Sequence, residues 1–562
     1  MGNTELGIWV NGQAQDNTVA KNVVSGNGAF GIVVADGASA NMIKENFVGT
    51  NTSGTTAIQN GGGIWVRQAM NNRVESNLVS GNSLGILVGT NAGFGETAAY
   101  VDGYAQHPER NGAGGTYTTG NQIFGNVIGL NAARNAAIPG SSIGMIIGEN
   151  ARNNLIGSAS GAYNLVSGNT ATVGFGILLG TLTENPNEDA LPQFNTFQGN
   201  VIGLAGNLQT TISNTKGFVL LGAARNTIGG DTDLLANTIV ASTQEGVSIL
   251  DRTRENTFLR NFIGVLPPGF GARPGQLRAE SPDIGAYGNG SHGILLSNGA
   301  QQNTLGGANP NFGLVISGNG GSGIFLASTA GSGNRFGANS ISGNTGVGID
   351  LGENGFTPND PADADTGPNN LQNYPTITSV AVNAGGDLIV SFQVDSAPAN
   401  SAYGTSGLYV EFFNADPSGE GSGSLGSDRY LISDYGGGAL AVRQKNLGNA
   451  AALGYAGAIT ATATDADGNS SEFAPAVAGS ASISGQVLTP AGGGLRNAVV
   501  SVTDSLGVRR TATTSSFGFY SVENLPTGQP YTIKVSSRRY RFINRVVTLS
   551  SSLSNINFVG LE

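Results

Sequence analysis

The chain has 562 residues, of which 90 are glycine, none is cysteine and only 11% are charged. That composition excludes a disordered polyelectrolyte and any disulfide or thiolate metal site, and it fits a turn-rich all-β chain with room for a large core. The net charge of −11 is uneven: residues 479–562 hold eight Lys/Arg and three Asp/Glu, so that segment is +5 and the remainder is −16, which argues against nucleic-acid binding by the larger part.

From the first line onward asparagines recur five apart, as Asn17/Asn22/Asn27, Asn41/Asn46/Asn51, Asn72/Asn77/Asn82, Asn121/Asn126/Asn131 and Asn334/Asn339/Asn344. A Gly-apolar-x-apolar phrase recurs beside them, with shortest intervals of 22 (Gly63 to Gly85), 24 (Gly7 to Gly31) and 25 residues (Gly323 to Gly348). Such a period marks a solenoid whose units stack only on their neighbours. The segments between asparagines are too short for helices, alternate apolar with polar residues and are rich in Val and Ile. A coil therefore fits three short strands, stacked at roughly 4.8 Å into parallel sheets. Asparagine suits the corners: its amide can bond the same amide in the coils above and below, and it tolerates left-handed backbone angles.

Phrases such as Asn22-Val-Val-Ser-Gly-Asn27, Asn126-Val-Ile-Gly-Leu-Asn131 and Gly293-Ile-Leu-Leu296 resemble the right-handed parallel β-helix repeat proteins of the pectin-lyase-like superfamily. The resemblance covers residues 1–374. It implies a right-handed solenoid, a fold shared by enzymes, adhesins and surface proteins. In the family's polysaccharide lyases and hydrolases, carboxylates (often with calcium) plus Arg, Lys or His project outward from one sheet. Here, alternation turns the middle residue of each glycine phrase outward. That column reads Trp9, Val33, Trp65, Leu87, Ile146, Leu178, Val219, Ser248, Leu295, Phe325 and Asp350. An exposed apolar row must be covered by an insert or another chain, or must stack on sugar rings. Cover is the preferred expectation. The paired Asp-Asp and the Gly-His-Gly of the family's galacturonases are absent.

Three insertions interrupt the coils. Residues 89–120 carry Tyr100, Tyr104 and Tyr117, which with Trp9 and Trp65 make the expected carbohydrate-binding set. If the chain is an enzyme, Tyr104, His107 and Arg110 are its expected catalytic set, because such groups can abstract a proton beside a uronate carboxylate. The plainer alternative is a loop packed on the apolar column. Residues 181–194 are acidic, with Glu184, Glu188 and Asp189; residues 265–292 form the third insertion. The first two follow the glycine strand and are expected at one corner, the third at another.

Residues 350–374 are expected to close the solenoid. Asp360, Asp363 and Asp365 sit there before Gly367, and oxygen ligands at alternate positions before a glycine turn fit part of a calcium loop. The full twelve-residue pattern is absent, and an acidic, proline-rich cap and linker is the other reading.

From 375 to 478 the asparagine pentads stop, and alternating runs between turn signals predict an immunoglobulin-like sandwich. Residues 479–562 then give Ile483-Ser-Gly-Gln-Val487, Asn497-Ala-Val-Val-Ser-Val502, Ser515–Ser521 and Leu525-Pro-Thr-Gly528. These phrases, in this order, resemble the carboxypeptidase regulatory-like module, a prealbumin-like sandwich that is not itself a peptidase. With only His107 and His292 in the chain, no His-Glu-x-x-His can be written. Alternation predicts a strand over Arg538–Phe542, with Tyr540 and Phe542 inward.

The chain starts inside a repeat, without the polar cap a first coil needs, so it is expected to be an N-terminally incomplete piece of an exported protein. The expectation is an all-β, extracellular or cell-surface protein: a right-handed parallel β-helix solenoid followed by two small β-sandwich domains, at 375–478 and 479–562. Its expected role is non-catalytic adhesion or polysaccharide binding, with a polysaccharide or cell-envelope surface as partner, no nucleic acid and no membrane span. The alternative is a polysaccharide lyase or glycoside hydrolase acting on an acidic polysaccharide beside the 89–120 insertion.

Overall fold

The computed structural model describes residues 2–90, 117–158, 160–171, 174–180, 188–268, 286–307, 309–383, 385–436, 440–549 and 551–561. The chain divides into two compact units, the first made of 1–357, 365–371 and 467–470, the second of 358–364, 372–466 and 471–562.

The first unit is a parallel β-helix built on three long sheets of 11, 10 and 10 strands. The glycine phrases form the eleven-stranded sheet, from Ile8–Val10 to Ile349–Leu351. The segments between asparagines form the other two, from Thr18–Ala20 and from Val23–Val24 onward. Strands this short cannot stand alone; they persist because every coil is hydrogen-bonded to two neighbours. The residues flanking the middle position, such as Ile64 and Val66 or Ile86 and Val88, are fully buried and fill the shared interior.

The asparagines form two long ladders and a broken third. Along the first, Asn41, Asn72, Asn121 and Asn154 follow one another, each backbone N–H and each Nδ2 donating to Oδ1 of the next at 2.9–3.0 Å. Asn46, Asn77, Asn126 and Asn164 repeat the pattern at the second corner. The third corner corrects the sequence reading. Its ladder runs Asn27–Asn60–Asn82, not through Asn51. Asn51 and Asn131 instead sit on exposed turns, where Oδ1 accepts from Thr55 and Asn135 N–H. An excursion of eight residues between Asn51 and Asn60 moves the ladder position out of the five-residue spacing.

The left-handed backbone also falls one residue earlier than expected. Positive φ belongs to the residue before the ladder asparagine: Ala40 (55°), Asn71 (58°), Asn153 (52°), Arg225 (57°) and Glu255 (57°). The corner bends there, and the asparagine that follows is freed to reach across coils.

Glycine is required in the eleven-stranded sheet by close approach and not by φ. A Cβ on Gly144 would lie 2.5 Å from the Gly176 carbonyl oxygen, and one on Gly176 would lie 2.5 Å from that of Gly217. A Val or Ile methyl and a ladder asparagine amide crowd the same point, as Val166 and Asn169 do at Gly144.

In the second unit, one sheet takes strands from both expected sandwiches. Thr376–Val382 pairs with Asp387–Gln393 and, in parallel, with Ser480–Leu488 at Ala381 and Ser480. Two hydrophobic cores lie in this unit. One centres on Phe392, Phe412 and Tyr430, the other on Tyr520, Tyr531 and Ile533. The predicted strand over Arg538–Phe542 does not form; the strand there is Arg545–Leu549, and Arg541 makes a single bridge to Leu561. Tyr540 and Phe542 are still the half-buried members of that stretch.

Candidate functional site

The outward column of the eleven-stranded sheet is in register as read. Trp9 pairs with Val33, Val33 with Trp65, Trp65 with Leu87 and Leu87 with Ile146, and the column ends at Phe325 opposite Asp350. Its middle is covered, in line with the preferred expectation. Leu87, Leu178 and Val219 are buried to within 1% of complete, and Ile146 to within 3%. They form an apolar cluster on the outside of the sheet, with Phe30, Leu84, Phe175, Leu221 and Leu250 packed against it. Trp65 is half-buried beside Phe30, with ring centroids 5.0 Å apart, and its indole N–H donates to Gly89 O at 2.9 Å. Trp9 is 39% exposed.

Beyond Val219 the same face turns polar, in a column one residue before each glycine. Its apolar members Phe30, Leu84, Ile143 and Phe175 give way to Lys216, Glu245, His292 and Ser322. Hydrogen bonds from the following glycines fix this register: Gly217 N–H to Glu245 O, Gly246 N–H to His292 O and Gly293 N–H to Ser322 O. Lys216 Nζ lies 2.9 Å from Glu245 Oε2. The His292 ring stacks on Phe325 with centroids 4.1 Å apart, and its Nδ1 accepts from Ser322 N–H at 3.0 Å. The Ser322 hydroxyl donates to Asp350 Oδ2 at 3.5 Å.

Burial holds His292 below its ordinary pKa, against the charge of Glu245. Burial pushes the Asp350 carboxyl above the usual range, against lowering by the Gly355 backbone, the Ser322 hydroxyl and the Glu353 backbone. Asp350 therefore binds its proton more tightly in the folded chain than in the unfolded one, and its contribution to stability is lost as pH rises from below 3.8 through the raised value. Asp350→Asn is expected to remove that loss. The melting-temperature difference between variant and parent should move in the variant's favour as pH rises, and a difference flat in pH would contradict the assignment.

Sequence reasoning followed the residue two places after each glycine and missed this column. Four successive coils carrying Lys-Gly, Glu-Gly, His-Gly and Ser-Gly were the available signal.

Of the expected site residues, Tyr100, Tyr104, His107 and Arg110 lie outside the described residues. Tyr117 is described: its ring lies 4.1 Å beneath the Arg152 guanidinium. Arg152 Nη2 also donates to Asp189 O at 2.6 Å, and Arg254 Nη2 lies 2.5 Å from Glu188 Oε1. The downstream ends of the first two insertions thus meet at Arg152. The third leaves after Phe262–Ile263, in a different sheet, as expected.

In the stretch 360–365, the carboxylates of Asp360, Asp363 and Asp365 each offer an oxygen within 4.8 Å of the others. Asp363 is 4% exposed. It accepts from Asn373 N–H at 2.8 Å, from Gln372 Nε2 at 2.9 Å and from the Ser401 hydroxyl. Asp360 accepts from Ala364 N–H at 3.0 Å. Asp360 thus caps a turn, while Asp363 ties together residues distant from it in sequence.

Residues 482–559 match the carboxypeptidase regulatory-like domain family. Among solved structures, the chain is similar to full-length tailspike protein 2 from Escherichia coli O157:H7 bacteriophage CAB120, at 11% identity over 91% of this chain and 70% of that one, with a TM-score of 0.30. It is also similar to the Bacillus anthracis TIE protein, at 14% identity over 33% of this chain and 41% of that one, with a TM-score of 0.15. A third similarity is to BcpA, the major pilin subunit of Bacillus cereus, at 10% identity over 33% and 71% of the two chains, with a TM-score of 0.13. The chain thus spans less than half the length of the TIE protein. No curated protein sequence matches it.

Proposed function

We propose that this is an exported or cell-surface β-helix protein that holds a polysaccharide or a cell-envelope surface without cutting it. The observation that carries this reading is the engagement of the ionisable groups on the outer face of the eleven-stranded sheet. Lys216 is paired with Glu245, His292 is stacked and hydrogen-bonded, and Asp350 is buried. A cutting site needs acid and base groups free to face a bond in a groove. Trp9, 39% exposed, offers an aromatic ring to sugars instead, with Trp65 and Tyr117 half-buried and already packed by Phe30 and Arg152.

A polysaccharide lyase or glycoside hydrolase is the second reading. What favours it is the gathering of Glu245, His292 and Asp350 on one face of the sheet, with Asp350 raised and His292 lowered. The test is incubation with pectin, alginate and chondroitin, with and without calcium, following unsaturated uronates and new reducing ends. Retention on a polysaccharide gel without product, lost in Trp9→Ala/Trp65→Ala, supports holding. Product that vanishes in Asp350→Asn or His292→Ala establishes the enzyme reading.

A further inference from the structure

The last module of the chain carries a basic face that the β-helix reading does not use. Its four-stranded sheet holds Val499–Thr503, Arg509–Thr513, Gln529–Ser536 and Arg545–Leu549. One side of that sheet is core: Val500, Val502, Tyr531 and Ile533 are buried. Strand alternation gives the other side to the intervening residues. Thr503 stands between Arg509 and Thr532, and Ser501 between Thr511 and Lys534. The face thus sets Thr503, Thr511 and Thr532 among the cations, with the exposed Val546 beside Thr532 and with Ser501 buried, its hydroxyl donating to Lys534 O. Arg538 and Arg539 follow at the end of the strand that carries Lys534.

Several cations elsewhere are paired, although Arg134 and Arg252 of the β-helix, also exposed, have no carboxylate within ion-pair distance among the described residues. Elsewhere Arg225 pairs with Glu255, Arg254 with Glu188, Arg260 with Asp233 and Arg443 with Asp434. Among the described residues, Arg509, Lys534, Arg538, Arg539 and Arg541 have no carboxylate within ion-pair distance. All five are exposed. The acid of the same sheet edge, Asp504, is turned onto its own turn, accepting from Leu506 and Val508 N–H. The segment is +5 in a chain of −11, so the positive charge is concentrated here and left unneutralised.

We propose that this outer sheet face, centred on Arg509, Thr511 and Lys534, is a binding surface for an anionic polysaccharide. Charge complementarity supplies the attraction, through counterions released from the polymer. The hydroxyls of the exposed Thr511 and the half-buried Thr503 and Thr532 fit sugar hydroxyls and carboxylates. The face lacks the aromatic platforms on which unpaired bases stack, so a single-stranded nucleic acid fits it less well. The surface lies on a different module from the β-helix face, so the proposal stands or falls independently of the function proposed above.

The experiment uses the full chain on immobilised dextran sulfate across a salt series. Arg509→Gln/Lys534→Gln is expected to bind about tenfold more weakly at low salt, with the slope of log affinity against log salt reduced by about 1.4. Lys21→Gln/Arg73→Gln, which removes the same charge from the β-helix, is expected to stay within about twofold of the parent. Thr511→Glu places a negative charge on the same face and is expected to weaken binding likewise. Unchanged melting temperatures show that the variants fold. Three results would overturn the proposal: outer-face variants that behave like the control pair, a parent that is not retained at low salt, or single-stranded DNA displacing dextran sulfate at equal charge.

Discussion

Replacing Asn126 with leucine is expected to cost the chain about 3–5 kcal/mol, read from urea or thermal unfolding. Asn126 is fully buried. Its Nδ2 donates to Val74 O, Phe124 O and Asn164 Oδ1 at 2.9–3.1 Å. Its Oδ1 accepts from both Asn77 N–H and Asn77 Nδ2, at 3.1 and 3.0 Å. Leucine has similar bulk and none of these groups, so it leaves the buried Asn77 N–H without an acceptor and breaks the ladder at that coil. Asn131→Leu is the matched control. That asparagine lies in the same sequence pentad, but its side chain bonds within its own exposed turn, to Asn135. It is expected to cost about 1 kcal/mol or less. Equal losses at 126 and 131 would mean that the ladders contribute nothing beyond ordinary turn-capping.

Gly85→Ala is expected to destabilise by about 3 kcal/mol or more, the upper end for overpacking. The added Cβ would stand 2.2 Å from the Gly144 carbonyl oxygen and 2.9 Å from Ile128 Cγ2. The carbonyl is backbone in the next coil, and it cannot yield without moving a strand that is itself paired on its other side. Gly12→Ala tests the contrasting cause. Gly12 has φ +61° and nothing within 4 Å of a built Cβ, so its cost is the left-handed backbone alone, about 1 kcal/mol. Comparable losses at the two sites would place the requirement at Gly85 in chain conformation and remove the close-contact explanation.

Much of the β-helix was legible before any coordinates. The glycine phrases gave the strands of the longest sheet and the register of its outward column from Trp9 to Asp350. Two ladders followed from the five-residue spacing. The third did not, because the excursion to Asn60 leaves Asn51 in the position that the spacing marks. The polar strip from Lys216 to Ser322 was present in the sequence as residues next to glycines. Alternation within the glycine phrase points to the other outward column, since these residues stand just outside the phrase.

Sequence by itself determined which residues share a column, because stacking at one coil per repeat turns periodicity into register. It determined the β-sandwich signals after 375 and the +5 charge of the final segment for the same kind of reason: both are properties of order along the chain. Only the tertiary structure decided which side of each column meets water. Leu87 and Trp9 occupy the same column, yet one is fully buried and the other 39% exposed, since burial depends on what packs from outside the repeat. Ion pairing was decided there too: of cations equally charged in the sequence, Lys216, Arg225, Arg254 and Arg260 meet carboxylates, while Arg509 and Lys534 meet none among the described residues.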